Sequence, residues 1–369
     1  MAKKTFTLSA NIENGIAEGL NYIVTPNVQK VLHEIINGYQ TGIHSYSIIG
    51  TYGTGKSSFL LQLEHDLVES HKRNLLKNPK VLYNGKFEIL NILGDFKSLE
   101  ELLRDRLQEA TDSTETNALV LLKSYYSKLK KQGKFLLIAI DEFGKVLEHA
   151  AKINPEEELY FMQKLCEVVN ATTRNILLLT TLHQNFSAYS RKLTTEQKNE
   201  WIKVKGRFQE VVFAEPVEQL LFLAAEHIST EFKYKICDKH FHKIHQLAID
   251  RKFVSADFSF DTACKLYPMD TFAAYAVTRA IQRYGQNERS LFTFLNANGA
   301  HSLASFMPKP NKTYNLAEVY DYVVNSFHSY LTDANSDSTG WSAIRLSIER
   351  VEGGAPAPAL WLMPCLSRG

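Results

Sequence analysis

Eight consecutive residues, Gly50-Thr51-Tyr52-Gly53-Thr54-Gly55-Lys56-Ser57, have the types and spacing of a phosphate-binding loop, G-x-x-x-x-G-K-[ST]. Glycines in such a loop let backbone N–H groups close around a polyphosphate, and the helix that follows turns its positive N-terminus toward it. Lys56 is expected at the β- and γ-phosphates of ATP and Ser57 at Mg²⁺, with Ser58 beginning the helix. A second chemical set, Asp141-Glu142, ends the run Phe135-Leu136-Leu137-Ile138-Ala139-Ile140. Asp141 is expected on the Mg²⁺ side, through water or Ser57, and Glu142 is placed to polarise an attacking water as general base. A carboxylate beside the Mg²⁺ carboxylate points to hydrolysis rather than storage of nucleotide.

These groups need elements to hold them. Ile43–Ile49 is apolar and β-branched and reads as the strand before the loop, and Ser58–Val68 carries Phe59, Leu60, Leu63 and Leu67 at helical spacing. The apolar run before Asp141 reads as a strand buried on both faces of a parallel sheet, and open α/β sheets place ligands at such strand ends. Further strands are expected at Phe87–Leu93, Ile176–Leu182 and Val211-Val212-Phe213. Between them, Ser98-x-x-Glu101 reads as a capping box opening a helix over Leu99–Ala110. Another helix spans Asn117–Lys131, and Asn154-Pro155-Glu156 opens a third, with Leu159, Met162, Cys166 and Val169 on its apolar face. Upstream, Thr25 caps and Pro26 starts a helix whose apolar face is Val28, Val31, Leu32, Ile35 and Ile36. The alternation predicts an α/β fold with a doubly wound, parallel, five-stranded sheet.

The 369 residues allow two or three domains, and 44% hydrophobic with 22% charged residues is ordinary for a globular chain. A net charge of +2 carries no global signal for nucleic acid or membrane. The clusters Lys128-Leu129-Lys130-Lys131 and Lys203-Val204-Lys205 read as solvated faces. Four widely spaced cysteines without a C-x-x-C pair fit a reducing cytosol, and a cytoplasmic location is expected. The N-terminus lacks the apolar stretch of a signal peptide, and no run approaches the roughly 20 apolar residues of a membrane span. His240, His242 and His245 invite a zinc reading, but no second half with paired ligands closes a site.

The phosphate loop followed by an apolar strand ending in Asp-Glu resembles the branch of P-loop NTPases that carry an extra strand and a catalytic glutamate. AAA+ ATPases and their signalling relatives belong there, and the chain is similar to bacterial phage-defence and origin-recognition-like ATPases. The resemblance implies a polar sensor at the end of the fourth strand, for which Thr181, His183 and Gln184 are candidates. It implies an arginine finger, Arg207, that completes a neighbouring subunit's site, and hence a homo-oligomer. Tyr22 and Ile23 would border the adenine. After Ala214-Glu215-Pro216 the sequence turns helical and resembles the lid of these proteins, with Arg289 in the second sensor position and Arg279 and Arg283 as alternatives. The phrase QNERSLFTFL resembles one in large phage-defence ATPases.

The expected organisation is an ATPase core over 1–215, with an adenine-side segment at 1–42, and a helical lid over 216–307. A partial helical or winged-helix-like segment at 308–352 and a disordered tail at 353–369 follow. The implied function is Mg²⁺-dependent ATP hydrolysis coupled to conformational change, in DNA-related or anti-phage processes, with DNA or a protein as partner and no membrane. The alternative is a slow-turnover signalling switch.

Overall fold

The order β2-β3-β4-β1-β5 in a single all-parallel sheet places the strand leading to the phosphate loop between two strands from far later in the chain. The computed structural model describes residues 12, 22, 24–51, 54–69, 73–191, 193–214, 217–231, 239–284, 291–296, 299–306, 312–332 and 338–352. Contacts divide the chain into two compact units, Met1–Glu215 and Pro216–Gly369.

The first unit runs α1 (Pro26–Gln40), β1 (Ser45–Ile49), α2 (Lys56–Val68), β2 (Lys86–Leu93), α3 (Leu99–Thr111) and α4 (Ala118–Lys131). It continues through β3 (Lys134–Asp141), α5 (Phe143–Lys152), α6 (Pro155–Val169), β4 (Ile176–Leu182), α7 (Thr195–Lys205) and β5 (Gln209–Val212). The unbroken apolar runs of β3 and β4 have a simple cause: both faces of the sheet are covered. On β3, Phe135, Leu137 and Ala139 join a cluster with α1 and α2, while Leu136, Ile138 and Ile140 join one with residues of α3 to α7. Because side chains alternate along a strand, each core needs every second residue to be apolar, and together they leave no polar position.

The caps match the sequence in part. Thr25 Oγ1 accepts from Val28 N at 3.2 Å with Pro26 in the first turn, and the buried residues of α1 are the five expected. Asn117 caps α4 through Val120 N. Ser98, however, reaches Glu100 N rather than forming a capping box; the box that does form is Thr194–Gln197 at the start of α7. Asn154 adopts φ 46°, and its amide turns to Glu157 instead of capping α6. β1 starts at Ser45, two residues late, because Ile43 N is used to close the turn after α1 on Gly38 O.

The second unit is helical: α8 (Val217–Glu231), α9 (Lys239–Asp250), α10 (Phe260–Lys265), α11 (Thr271–Tyr284), α12 (Leu291–Asn296), α13 (Leu316–Thr332) and α14 (Ser338–Glu352). One apolar cluster joins Leu221 of α8, Val277 of α11, Phe294 of α12 and Val323 of α13, so residues beyond 308 pack with those before them. Asp270 Oδ1 caps α11 through Ala273 N, and Ser259 caps α10 through Thr262 N. His245 is buried beside Thr271 Oγ1 and Phe260, and His242 lies edge-on to the same ring, so these histidines serve packing. Residues 353–369 lie outside the described residues. Cys166 is buried and free, whereas Cys264 is disulfide-bonded, unlike the fully reduced set that spacing suggested; pairing requires proximity in space and not in sequence. No helix among the described residues is long and apolar enough to cross a membrane.

Candidate nucleotide site

The carboxyl ends of β1, β3 and β4 converge. Gly50 follows β1, and its N–H bonds Leu182 O at the end of β4. A Cβ on Gly50 would lie 2.2 Å from Phe213 O, so only glycine lets the loop leave the sheet here. Gly55 takes φ +89° at the N-cap of α2, a left-handed turn that glycine enters without strain. Thr54 Oγ1 bonds Thr51 O at 2.8 Å and braces the loop. Ser57 and Ser58 occupy the first turn of α2 and are half-buried. Tyr52 and Gly53 lie outside the described residues.

Lys56 is 5% exposed, and its Nζ donates to Gly50 O at 2.5 Å and Thr51 O at 2.9 Å. Burial pulls its pKa down to about 8, opposed by the nearby charges of Asp141 and Glu142. His183 Nδ1 lies 3.5 Å from the Lys56 ammonium. Burial, with Lys56 and Lys145 nearby, pushes the His183 pKa down to about 3. The imidazole is therefore neutral at physiological pH, and Nδ1 accepts from the lysine. The proton then sits on Nε2.

Asp141 is buried at the end of β3. Its Oδ1 accepts from Thr181 Oγ1 at 2.5 Å and from Glu142 N at 3.1 Å, and Thr181 Oγ1 accepts from Glu142 N at 3.0 Å. Thr181 thus acts on the acidic pair, whereas His183 is the group turned to Lys56. The Thr181 hydroxyl fixes one Asp141 oxygen and leaves Oδ2 for a cation. Asp141 and the Ser57 hydroxyl supply hard oxygen donors, which fit Mg²⁺. Thr181→Val is expected to raise the Mg²⁺ concentration needed for half-maximal ATPase at least roughly threefold. A magnesium titration of steady-state rate checks it, and an unchanged requirement would count against this role.

Glu142 takes φ 52° at the start of α5, unusual for a residue with a Cβ. Gly94 packs directly behind it: Gly94 N bonds Asp141 O at 2.7 Å, and a Cβ there would meet Glu142 O at 2.5 Å. The Glu142 carboxylate pairs with Lys145 Nζ at 2.5 Å.

Deeper along α2, Glu64 and Asn91 face each other. Asn91 Nδ2 donates to Glu64 Oε2 at 2.9 Å, while Glu64 Oε1 and Asn91 Oδ1 are buried without partners. Burial is the main cause that raises the Glu64 pKa to about 7. A raised carboxyl pKa stabilises the fold below the unfolded value, and that stability is lost as pH rises through about 7. Glu64→Gln is therefore expected to gain melting temperature relative to wild type at pH 8 but not at pH 5. Thermal melts at the two pH values test this, and equal shifts would refute it.

The remaining expected residues lie apart or unseen. Arg207 sits before β5, at the amino end of the sheet and opposite the P-loop, with its guanidinium 3.3 Å from Glu167 Oε1. Tyr22 is half-buried against the α1–α2 core, and its carbonyl accepts from Asn74. Gln184 follows His183 in the turn after β4 and is exposed. Arg279 lies on α11 of the helical unit; Ile23 and Arg289 are outside the described residues. Lys145 and Gly94 were missed in the sequence. A lysine three residues after Asp-Glu on a helix is a visible pair, but Gly94 gave no signal before β2 and β3 were known to be neighbours.

The fold is α/β with an all-parallel sheet, and β4 separates the P-loop strand from the Asp-Glu strand, as the extra strand of the sequence resemblance would. No family model matches the chain, and no curated relative does. Among solved structures it is similar to the Aeropyrum pernix ORC2 protein in ADPNP-ADP complexes, at 14% identity and TM-score 0.41 over 73% of this chain and 67% of that one. It is similar to C. elegans PCH-2 at 13% identity and TM-score 0.41 over 84% and 70%. Drosophila ORC bound to DNA follows at 12% identity and TM-score 0.32 over 85% and 72%. Identities this low carry no residue-by-residue correspondence.

Proposed function

We propose that the first unit hydrolyses ATP with Mg²⁺, and that Asp141, Glu142, Lys56 and His183 form the catalytic centre. The observation that carries this reading is the meeting of a buried P-loop lysine with the Asp-Glu pair and a neutral imidazole at the strand ends. Mg²⁺ bound by Ser57 and Asp141 would neutralise phosphate charge. Lys56 places its ammonium at the phosphates, and Glu142 takes the proton of the attacking water. His183, beside the Lys56 ammonium, stands in the place of the sensor. ATP-dependent phosphate release by the purified chain, with and without Mg²⁺, is the direct test. Absence of release with intact nucleotide binding would defeat it.

Arg207 serves the reading only in trans, because its own site lies at the opposite end of the sheet. We read the protein as a homo-oligomer in which this guanidinium meets a neighbour's γ-phosphate. Arg207→Ala should lower ATPase of the assembled protein at least roughly 10³-fold while leaving monomeric ATP binding unchanged. Full activity in an assembled Arg207→Ala sample would remove the finger. The setting is read as DNA-related or anti-phage, on the resemblance of the sequence alone.

The second reading, a slow switch, is favoured by one feature. Lys145 clamps the Glu142 carboxylate, and an occupied base turns over slowly. Lys145→Ala should then raise basal turnover several-fold. A fall in rate would instead make Lys145 a cation that works on the phosphates.

A further inference from the structure

The lysines that looked like a solvated face in the sequence are joined by a second set in the fold. β2 and β3 begin side by side, with Lys86 opposite Lys134. A Cβ on Gly85 would lie 2.7 Å from Gly133 O, so the turn before β2 touches the turn after α4. Lys86 therefore lies beside the turn that follows Lys130 and Lys131, with Lys80 six residues earlier on its segment and Lys123 and Lys128 further up the exposed side of α4; all six are exposed. No aspartate or glutamate occurs in residues 77–86 or 118–134.

Three exposed lysines elsewhere are matched, Lys145 with Glu142, Lys164 with Glu167 and Lys203 with Glu200. In the patch, Lys134 is satisfied by Glu88 at 2.8 Å, yet none of the six forms an ion pair among the described residues. In a chain of net charge +2, so many unmatched cations on one edge form a concentrated positive field.

The groups between them narrow the partner. Asn84, Ser124, Ser127 and Gln132 are exposed hydroxyl and amide side chains, the types that accompany lysine at phosphate oxygens. Among the described residues the large apolar side chains exposed there are Val81 and Val120, too little to anchor in a bilayer. Tyr125 and Tyr126 are buried and Tyr83 is half-buried, so no ring is offered for stacking unpaired bases. Among the described residues of this edge, no exposed aromatic or arginine anchor of the protein-interface type occurs either.

We propose that this edge, at the amino ends of β2 and β3, binds the phosphate backbone of a double-helical nucleic acid without reading its sequence. The surface is separate from the nucleotide site, and Lys56→Ala is expected to keep it. Failure of the ATPase reading therefore leaves this inference standing, and the reverse also holds.

The test is fluorescence anisotropy of the full chain with a labelled random 20-base-pair DNA duplex from 50 to 200 mM KCl. About five lysine–phosphate contacts give a log–log salt slope near −4.5, a loss of affinity on the order of 10²–10³-fold across that range. K80E/K86E/K130E/K131E should weaken binding at 50 mM at least roughly tenfold and flatten the slope by about 3.6. The same four positions changed to glutamine should fall between, and unchanged circular-dichroism spectra and melting temperatures in both variants show that they fold. The proposal is overturned by no duplex binding at 50 mM, by a flat slope, or by equal binding of the glutamate variant. It is also overturned if the single strand binds more tightly than the duplex, or if phosphatidylserine vesicles bind and the duplex does not.

Discussion

Glu142→Gln is expected to keep ATP bound and to reduce turnover by roughly 10²–10⁴-fold, the range for losing a general base. The substitution preserves shape and the N–H to Asp141 and Thr181, so the left-handed start of α5 and the cation side of the site stay as they are. What disappears is the carboxylate that accepts a proton from water. The measurement pairs a fluorescent-nucleotide titration with phosphate release under single turnover. Normal hydrolysis by the variant would refute the base assignment, and lost binding would show that the change had disturbed the loop instead.

Lys56→Ala is expected to weaken ATP binding by roughly 10–150-fold, the worth of a charged hydrogen bond of about 1.5–3 kcal/mol. The ammonium is the one cation buried within the loop, and its removal also strips its donors from Gly50 O and Thr51 O. The pKa of about 8 adds a signature. Only the protonated lysine attracts phosphate, so wild-type affinity should decline as pH rises through about 8. The alanine variant should show no such decline. Calorimetric titrations at pH 7 and pH 9 decide the matter; wild-type affinity that is level across this interval would remove Lys56 from the phosphates.

Much of the site was legible because its parts are local. The P-loop and its helix are contiguous, and the Asp-Glu pair is announced by six residues that have no polar member, since both sheet faces are covered. The caps were less legible. Ser98 and Asn154 have the right types in the right places, but competing local bonds redirect them. The division of labour between Thr181 and His183 was not legible at all. Thr181 lies on β4 and His183 just past its end, and only the register of β1 and β3 against β4 shows which meets Asp141 and which meets Lys56. The lysine edge was invisible for the same reason: its halves are about fifty residues apart and meet only once β2 pairs with β3.

The sheet order also has a consequence for synthesis. β1 leaves the ribosome early, but its partners are β4 and β5, which end at Leu182 and Val212. Until both have emerged, the P-loop has a sequence but no floor, since Gly50 N is held by Leu182 O and Phe213 N by Ile49 O. At about 5–20 residues per second, the nascent chain carries that unfinished loop for roughly ten to thirty seconds. Arrested chains released before β5 should fail to retain ATP, and those extended past it should hold it.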